Sequence, residues 1–414
     1  MNILVLEARN EDTRLLDQSV ARALTEFAGA RVHALDPYHT YLQEGAAGLE
    51  AAILETVARE AVDVFIYCAF GMWLELDPEF VYRQLPQCYR IYIVGDDEGH
   101  FERYDRYNAQ AYDLVMSANP LVERYHAYQV DAVYYPSVYS SRVYCRNEEN
   151  LDKAHDVAFV GAMRGKAGRE MYVRALEAAG ITVTVHGFGA PAGALNEQQA
   201  VSLYRRARIN LNFTGSAPSP LSPGETIMQR VRQVKGRCSK LALCGSFVLS
   251  EYAPGLERQF VPGREIDVFH DAQELVEKVR HYLAHEEERE AMAARAHARA
   301  MAEYDEACYW QRAADMIGEK ARARRVHLPL CIDPPFWAVY GACRFKYLVI
   351  FAFWGRWRLA AEEMRRLWRA GRFAPRAALW FAAQGLHVAR QRSRTAAAVA
   401  QLARWLRDLP GVRA

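Results

Sequence analysis

Val62-Asp-Val-Phe-Ile-Tyr-Cys68 is a run of β-branched and aromatic residues with one charge near its start. A strand buried on both faces reads this way, and such strands belong to parallel sheets covered by helices. Similar runs lie on either side: Asn2–Glu7 and Arg31–Leu35 before it, Cys88–Val94, Asp113–Ser117 and Asp131–Tyr135 after it. Helical patterns fill the gaps, among them Glu11–Ala28 and Leu49–Glu60. Strand–helix alternation at this spacing predicts βαβ units and a doubly wound sheet over residues 1–140.

Residues 137–154 break the alternation with the polar, turn-forming runs Ser137-Val-Tyr-Ser-Ser-Arg142 and Asn147-Glu-Glu-Asn-Leu-Asp152, which read as an interdomain linker. The pattern then restarts. Strands are expected at Asp156–Gly161, Ile181–His186, Arg208–Phe213, Ser246–Ser250 and Glu265–Phe269, with helices at Ala272–Leu283 and Glu286–Glu303 and a further helix capped by Asp305 that runs to about Lys320. Residues 155–325 thus form a second unit of the same class. The fold class expected is α/β: two Rossmann-like domains facing each other across a cleft, followed by a basic helical C-terminal appendage, residues 326–414.

The composition fits this layout. The chain has 414 residues, 51% apolar and 25% charged, with a net charge of +2. That is a globular profile without a nucleic-acid footprint. The charge is divided unevenly. Residues 326–414 carry 15 Arg/Lys and 4 Asp/Glu, a net +11, which leaves −9 on residues 1–325. Eight cysteines show no C-x-x-C spacing and no zinc-type pairing with histidine, so free thiols in a reducing cytoplasm are expected. Met1–Glu7 meets an acid at once and reads as a strand, not a signal peptide. Phe336–Trp354 is the one membrane suspect, and Arg344 and Lys346 in its middle argue against a span.

Ligands of doubly wound sheets bind beyond the carboxyl ends of the strands. The loops that matter are therefore Ala69–Gly71, Gly95–His100, Ala162–Arg169, Gly187–Gly189, Thr214–Gly224 and Glu251–Tyr252. Neither domain opens on G-x-G-x-x-G, and no Walker A motif is present, which disfavours a dehydrogenase or a P-loop kinase. The most informative stretch is Gln229 to Phe269. Within it Gly236 reads as the start of a short helix that ends at Cys244, with Gly245 as its left-handed cap. Lys235 and Arg237 flank the helix start, where two cations and free backbone N–H groups suit a diphosphate. A solvated basic turn is the competing reading, and the position between two parallel strands at the cleft edge favours the site.

At these residues the chain resembles a known family. Asp156-Val-Ala-Phe-Val-Gly161, the loop Arg164–Arg169, Val185-His-Gly-Phe-Gly189, Ala207-Arg-Ile-Asn-Leu-Asn-Phe213 and the Lys235–Phe269 region look like the C-terminal domain of GT-B glycosyltransferases, nearest to the spore-maturation-protein-like (CgeB-like) branch. The likeness covers residues 156–315. It extends more weakly to Ile91-Tyr-Ile-Val-Gly-Asp-Asp97, Tyr112–Ser117 and Tyr134-Tyr-Pro136, and it leaves 326–414 outside.

The resemblance implies a hexosyltransferase-type enzyme that uses a UDP- or GDP-sugar as co-substrate, without a metal or other cofactor. Donor binding would fall to the second domain and acceptor binding to the first. The matching candidates for the donor are Arg164, Lys166, Gly187, Phe188, Asn212, Lys235, Arg237, Glu251 and Tyr252. One departure stands out. The family usually carries Phe-Glu where this chain has Ser239-Lys240. A carboxylate accepts from sugar hydroxyls and an ammonium can only donate. The donor differs, or Glu251 substitutes, or activity is impaired; Lys240 could also supplement the phosphate site, or be an exposed helix lysine.

In the first domain Asp96 or Asp97, with His100 nearby, are candidates for a general base on an acceptor hydroxyl, as an inverting transfer requires. They are equally well read as caps of a helix Phe101–Ala111. Stereochemistry stays open, since retaining GT-B enzymes often leave this task to the departing phosphate. Six of the eight tryptophans lie in the appendage, interleaved with Arg356, Arg358, Arg365, Arg366, Arg369 and Arg372. Two readings fit: a helical bundle with Trp inside, or an element that docks on the inner face of an anionic membrane. The functions open at this point are a cytoplasmic glycosyltransferase acting on a glycan, glycolipid or protein, a nucleotide-sugar epimerase of the same fold, and a non-catalytic scaffold. No nucleic-acid partner is expected.

Overall fold

The structure, a computed structural model, describes residues 1–8, 19–69, 76–95, 97–146, 152–216, 231–323, 329–371 and 375–391. The first domain holds a six-stranded parallel sheet: β1 Asn2–Leu6, β2 Arg31–Leu35, β3 Val64–Ala69, β4 Tyr89–Val94, β5 Leu114–Ser117 and β6 Asp131–Tyr134. The strand order is β2-β1-β3-β4-β5-β6. The second domain holds β7 His155–Val160, β8 Val183–His186, β9 Ala207–Asn212, β10 Val248–Glu251 and β11 Asp267–Phe269, in the order β11-β10-β9-β7-β8, also parallel. In each sheet the chain winds first one way and then the other. The reversal falls between β1 and β3 in one sheet and between β7 and β9 in the other, and there the strand ends leave a crevice for a ligand. Every strand expected from the sequence is present, because strands covered on both faces show as apolar runs; β3, β4 and β5 are buried almost throughout.

Two chain segments cross between the domains side by side. Tyr139 donates its N–H to the Tyr304 carbonyl at 3.2 Å, and Glu306 donates to the Tyr139 carbonyl at 3.0 Å. Asp305 accepts from the Ser141 N–H at 3.0 Å and also caps the helix Glu306–Arg322 through Ala307 N–H. Sequence alone assigns that helix to the second domain. In the structure it returns to the first, where Trp310, Ala313 and Ile317 pack with Ile3, Val5, Val64 and Ile66. The apolar stripe forms the helix, and the short turn at 304–305 decides which sheet the stripe meets. Tyr135 packs on Tyr309 and Trp310 at ring distances of 5.4 and 5.7 Å.

The C-terminal helices Pro334–Phe353, Trp357–Ala370 and Pro375–Gln391 form a bundle built onto the first domain. Tyr347, Ile350, Phe351 and Leu359 join Tyr41, Leu42 and Leu49 in one core. Phe336 stacks on Tyr104 at 5.4 Å. Pro334–Phe353 is long and apolar enough to cross a membrane, but most of it is covered by protein, and two of its buried residues are cations. Arg344 faces Glu363 at 3.9 Å, and Lys346 lies over the rings of Tyr38 and Tyr347. All eight cysteines are free thiols.

Candidate functional site

The crevice between β7 and β9 is where the second domain gathers its cations. Arg237, the first residue of the helix Arg237–Leu243, lies back across both strand ends. Its Nε donates to the Val160 carbonyl at 2.9 Å and its Nη1 to Asn212 Oδ1 at 2.7 Å. Asn212, fully buried, is itself oriented by donating to Ser250 Oγ at 2.8 Å. The Phe159 ring is within cation–π range of Arg237, at 4.9 Å, and also of Arg169, at 5.5 Å. Arg169 donates to the Ala162 carbonyl at 2.7 Å, and its buried Nε has no acceptor. Among the described residues neither guanidinium has an ion pair. Burial first, and the neighbouring Arg237 second, push Arg169 down to about 10. Burial likewise lowers Arg237. Two like charges fixed by neutral acceptors in a half-enclosed crevice form a site that an anion would relieve.

The surrounding loops are packed tightly enough to need glycine. A Cβ at Gly161 would come within 2.6 Å of Arg237 Nη2. Gly187, at φ 137°, lies so close that a Cβ would strike the Gly161 carbonyl. Beyond it Phe188 is 63% exposed, with the Arg164 guanidinium 5.2 Å from its ring. An exposed aromatic face beside an anion crevice can stack on a base. Lys166 precedes the helix Ala167–Ala178, and Arg169 falls in its first turn.

Glu251, at the end of β10, is buried and occupied on both oxygens. Oε2 accepts from Thr214 N–H at 2.8 Å and Gly215 N–H at 3.2 Å, while Oε1 meets Arg232 Nε at 2.7 Å and the Tyr172 hydroxyl at 3.3 Å. It anchors the loop after β9 and so shapes the crevice from the side. Tyr252 is half-exposed and directs its hydroxyl to Glu257. Lys235 bonds to Gln233 Oε1. Gly236 presses against Ser137 and Tyr139 at the domain crossing, which ties the cation crevice to the hinge. Lys240 stands over the rings of Tyr139 and Tyr144 at 4.6 and 4.9 Å, so it is neither an exposed helix lysine nor in contact with the Arg237 partners. Ser239 is buried and accepts from Gln259 at 3.0 Å.

In the first domain Asp96 lies outside the described residues. Asp97 is fully buried. It accepts from Ser117 Oγ at 2.8 Å and the Tyr125 hydroxyl at 2.6 Å and is paired with Arg124. Its carbonyl accepts from the N–H groups of His100 and Phe101, so it is the internal anchor of the turn, the capping role, and is turned away from solvent. His100 is half-buried above that turn. Glu98, on the same loop, reaches the second domain, where it accepts from Gln233 Nε2 at 2.6 Å. Sequence reasoning included Glu98 and Arg169 in candidate loops without singling them out. Position after a strand could be read from the pattern, but the direction of each loop side chain could not.

Behind Asp97, Asp105 accepts from the Tyr92 hydroxyl at 3.0 Å. Burial, with Asp97 as a second cause, raises its carboxyl to about 8. The free unfolded value is near 4. The folded state therefore holds the proton more tightly, and stability is lost as pH rises from about 4 to about 8. Asp105→Asn removes this loss. The Tm of the variant, measured against wild type at pH 5 and pH 8.5, is expected to gain on wild type at the higher pH. A difference that does not change with pH would mean the carboxyl is already ionised in the fold.

The sequence of residues 168–318 matches the profile of a family described as glycosyl transferase-like. No curated protein matches the chain. Among solved structures, HepE of Anabaena in complex with UDP superposes with a TM-score of 0.54 at 13% identity, covering 77% of this chain and all of that one. Sucrose-phosphate synthase from Thermosynechococcus elongatus gives 0.53 at 12%, over 78% and 98%. A glycosyltransferase from Rickettsia africae gives 0.52 at 10%, over 78% and 99%. None of these matches singles out the spore-maturation-protein-like branch. The chain is therefore similar to GT-B enzymes over both sheets: its fold is the GT-B pair of Rossmann-like domains, and residues 168–318 carry a glycosyl transferase-like sequence pattern.

Proposed function

We propose that the protein is a glycosyltransferase of the hexosyltransferase type, moving a sugar from a UDP- or GDP-sugar to a glycan, glycolipid or protein acceptor. One observation carries this reading: Arg169 and Arg237 converge on the switch point of the second sheet with no ion-pair partner among the described residues. In this reading the diphosphate lies across the two guanidiniums, Phe188 supports the base, and Gly161 and Gly187 let the backbone approach the ligand. The two arginines neutralise the departing diphosphate, a role that a metal fills elsewhere. The acceptor enters from the first domain past Glu98, with Asp96 and His100 on the same loop. Glu98 takes the place of Asp97 as an acid of this loop that contacts the second domain. The reading puts the protein in the cytoplasm, where its eight thiols stay reduced.

A second reading rests on Lys240. Where the resembling enzymes carry a carboxylate, this chain has an ammonium held between two tyrosines, and a non-catalytic nucleotide-sugar-binding protein would tolerate that change. A panel of UDP- and GDP-sugars, assayed for nucleotide release with and without glycan acceptors, separates the two. Release that persists in EDTA is the expected result, and product analysis distinguishes transfer from epimerisation. Nucleotide binding without release from any donor would favour the second reading.

A further inference from the structure

The helix Trp357–Ala370 shows two unlike faces. Its inner face holds Leu359, Ala360 and Glu363, all buried. The helix has two acids, and both turn inward: Glu363 accepts from the Tyr41 hydroxyl, and Glu362 accepts from the Ala47 N–H at 3.0 Å and meets Arg366 at 3.5 Å. The outer face follows the spacing 357, 361, 364, 368, one stripe of a helix. There Trp357 is 69% exposed, Met364 43% and Trp368 82%. Arg358, Arg365 and Arg369, also exposed, run along one side of this stripe. Large apolar side chains held in water beside a row of cations, with every carboxylate of the helix directed elsewhere, match one kind of partner: a surface that is apolar within and anionic at its rim.

We infer that this face docks on an anionic lipid bilayer. Trp357 and Trp368 would sit at headgroup depth, where indole is favoured, and the three arginines would meet lipid phosphates. The helix would lie in the membrane plane and span nothing, since its inner face is committed to the bundle. The inference is independent of the nucleotide reading and needs no sugar donor.

The test is sedimentation of the full chain with vesicles of phosphatidylcholine alone or mixed with phosphatidylglycerol, at low and high salt. Truncation before the bundle is unsuitable, because Tyr347, Ile350 and Phe351 belong to the first domain's core. The variants are Trp357→Ser/Trp368→Ser and Arg358→Gln/Arg365→Gln/Arg369→Gln, each checked for unchanged melting. Wild type is expected to bind phosphatidylglycerol vesicles at low salt, to lose binding at high salt, and to bind at least about tenfold more than either variant. Equal sedimentation of all three proteins, or none at low salt, would overturn the inference. So would a wild-type dimer that the tryptophan substitutions dissociate, since the face would then be a contact between copies of the chain.

Discussion

Arg237→Ala is expected to weaken UDP or GDP binding by about 1.5–3 kcal/mol, the range for a lost charge-assisted hydrogen bond. That is roughly a ten- to 150-fold rise in Kd. The guanidinium is positioned by two acceptors 2.7–2.9 Å away, on the ends of two different strands. A lysine offers one nitrogen in place of the spread of Nε and Nη, so it cannot span the two strand ends in the same geometry, and Arg237→Lys should recover little. Arg169→Ala should act in the same direction. Because both cations would address one anion, the double variant should cost less than the sum of the single ones. Calorimetry with UDP and GDP on folded variants provides the check. Affinity unchanged by Arg237→Ala would remove that residue from the site.

The second large effect is structural. Glu363→Leu should destabilise the protein by about 3–5 kcal/mol, as expected when one member of a buried ion pair is removed. Arg344 would remain inside the bundle beside the hydroxyls of Tyr41 and Tyr340, without this carboxylate. Burial pushes the Glu363 carboxyl up, and Arg344 and Tyr41 oppose that shift. Arg344→Met combined with Glu363→Leu should recover most of the loss, because an apolar pair of similar volume needs no counter-charge. Urea denaturation of the three variants measures this. A loss below about 1 kcal/mol for Glu363→Leu would mean that water reaches Arg344 once its partner is gone. Tyr41 belongs to the first domain, so the same experiment reports whether that domain and the C-terminal helices unfold together.

The sheets were legible in the sequence for a simple reason. Residues such as Phe65, Ile66, Ile91 and Ile93 are covered on both sides, and nothing polar can occupy such positions without a partner. The crevice was partly legible. Lys235-Gly236-Arg237 followed a loop at a strand end, and that placement pointed to Arg237. Arg169 was not singled out, because it is brought beside Arg237 by the fold, over the Phe159 ring ten positions earlier and on another element. Asp97 and Glu98 are neighbours in sequence with opposite fates, one buried under Tyr125 and the other reaching Gln233. Loop composition carries no information on that choice. The return of Glu306–Arg322 to the first sheet and the pairing of Arg344 with Glu363 likewise depend on long-range packing that no local pattern encodes. The first helix of the appendage is the core of a bundle, and the second exposes two tryptophans.

The central claim, that the second domain holds a nucleotide diphosphate at the β7/β9 switch point, is tested most directly by a crystal structure of the protein with UDP or GDP. Phosphate oxygens are expected within about 3 Å of the Arg237 and Arg169 guanidiniums, beyond the ends of β7 and β9, with the base beside Phe188. A nucleotide bound elsewhere, with no phosphate in contact with either arginine, would contradict it.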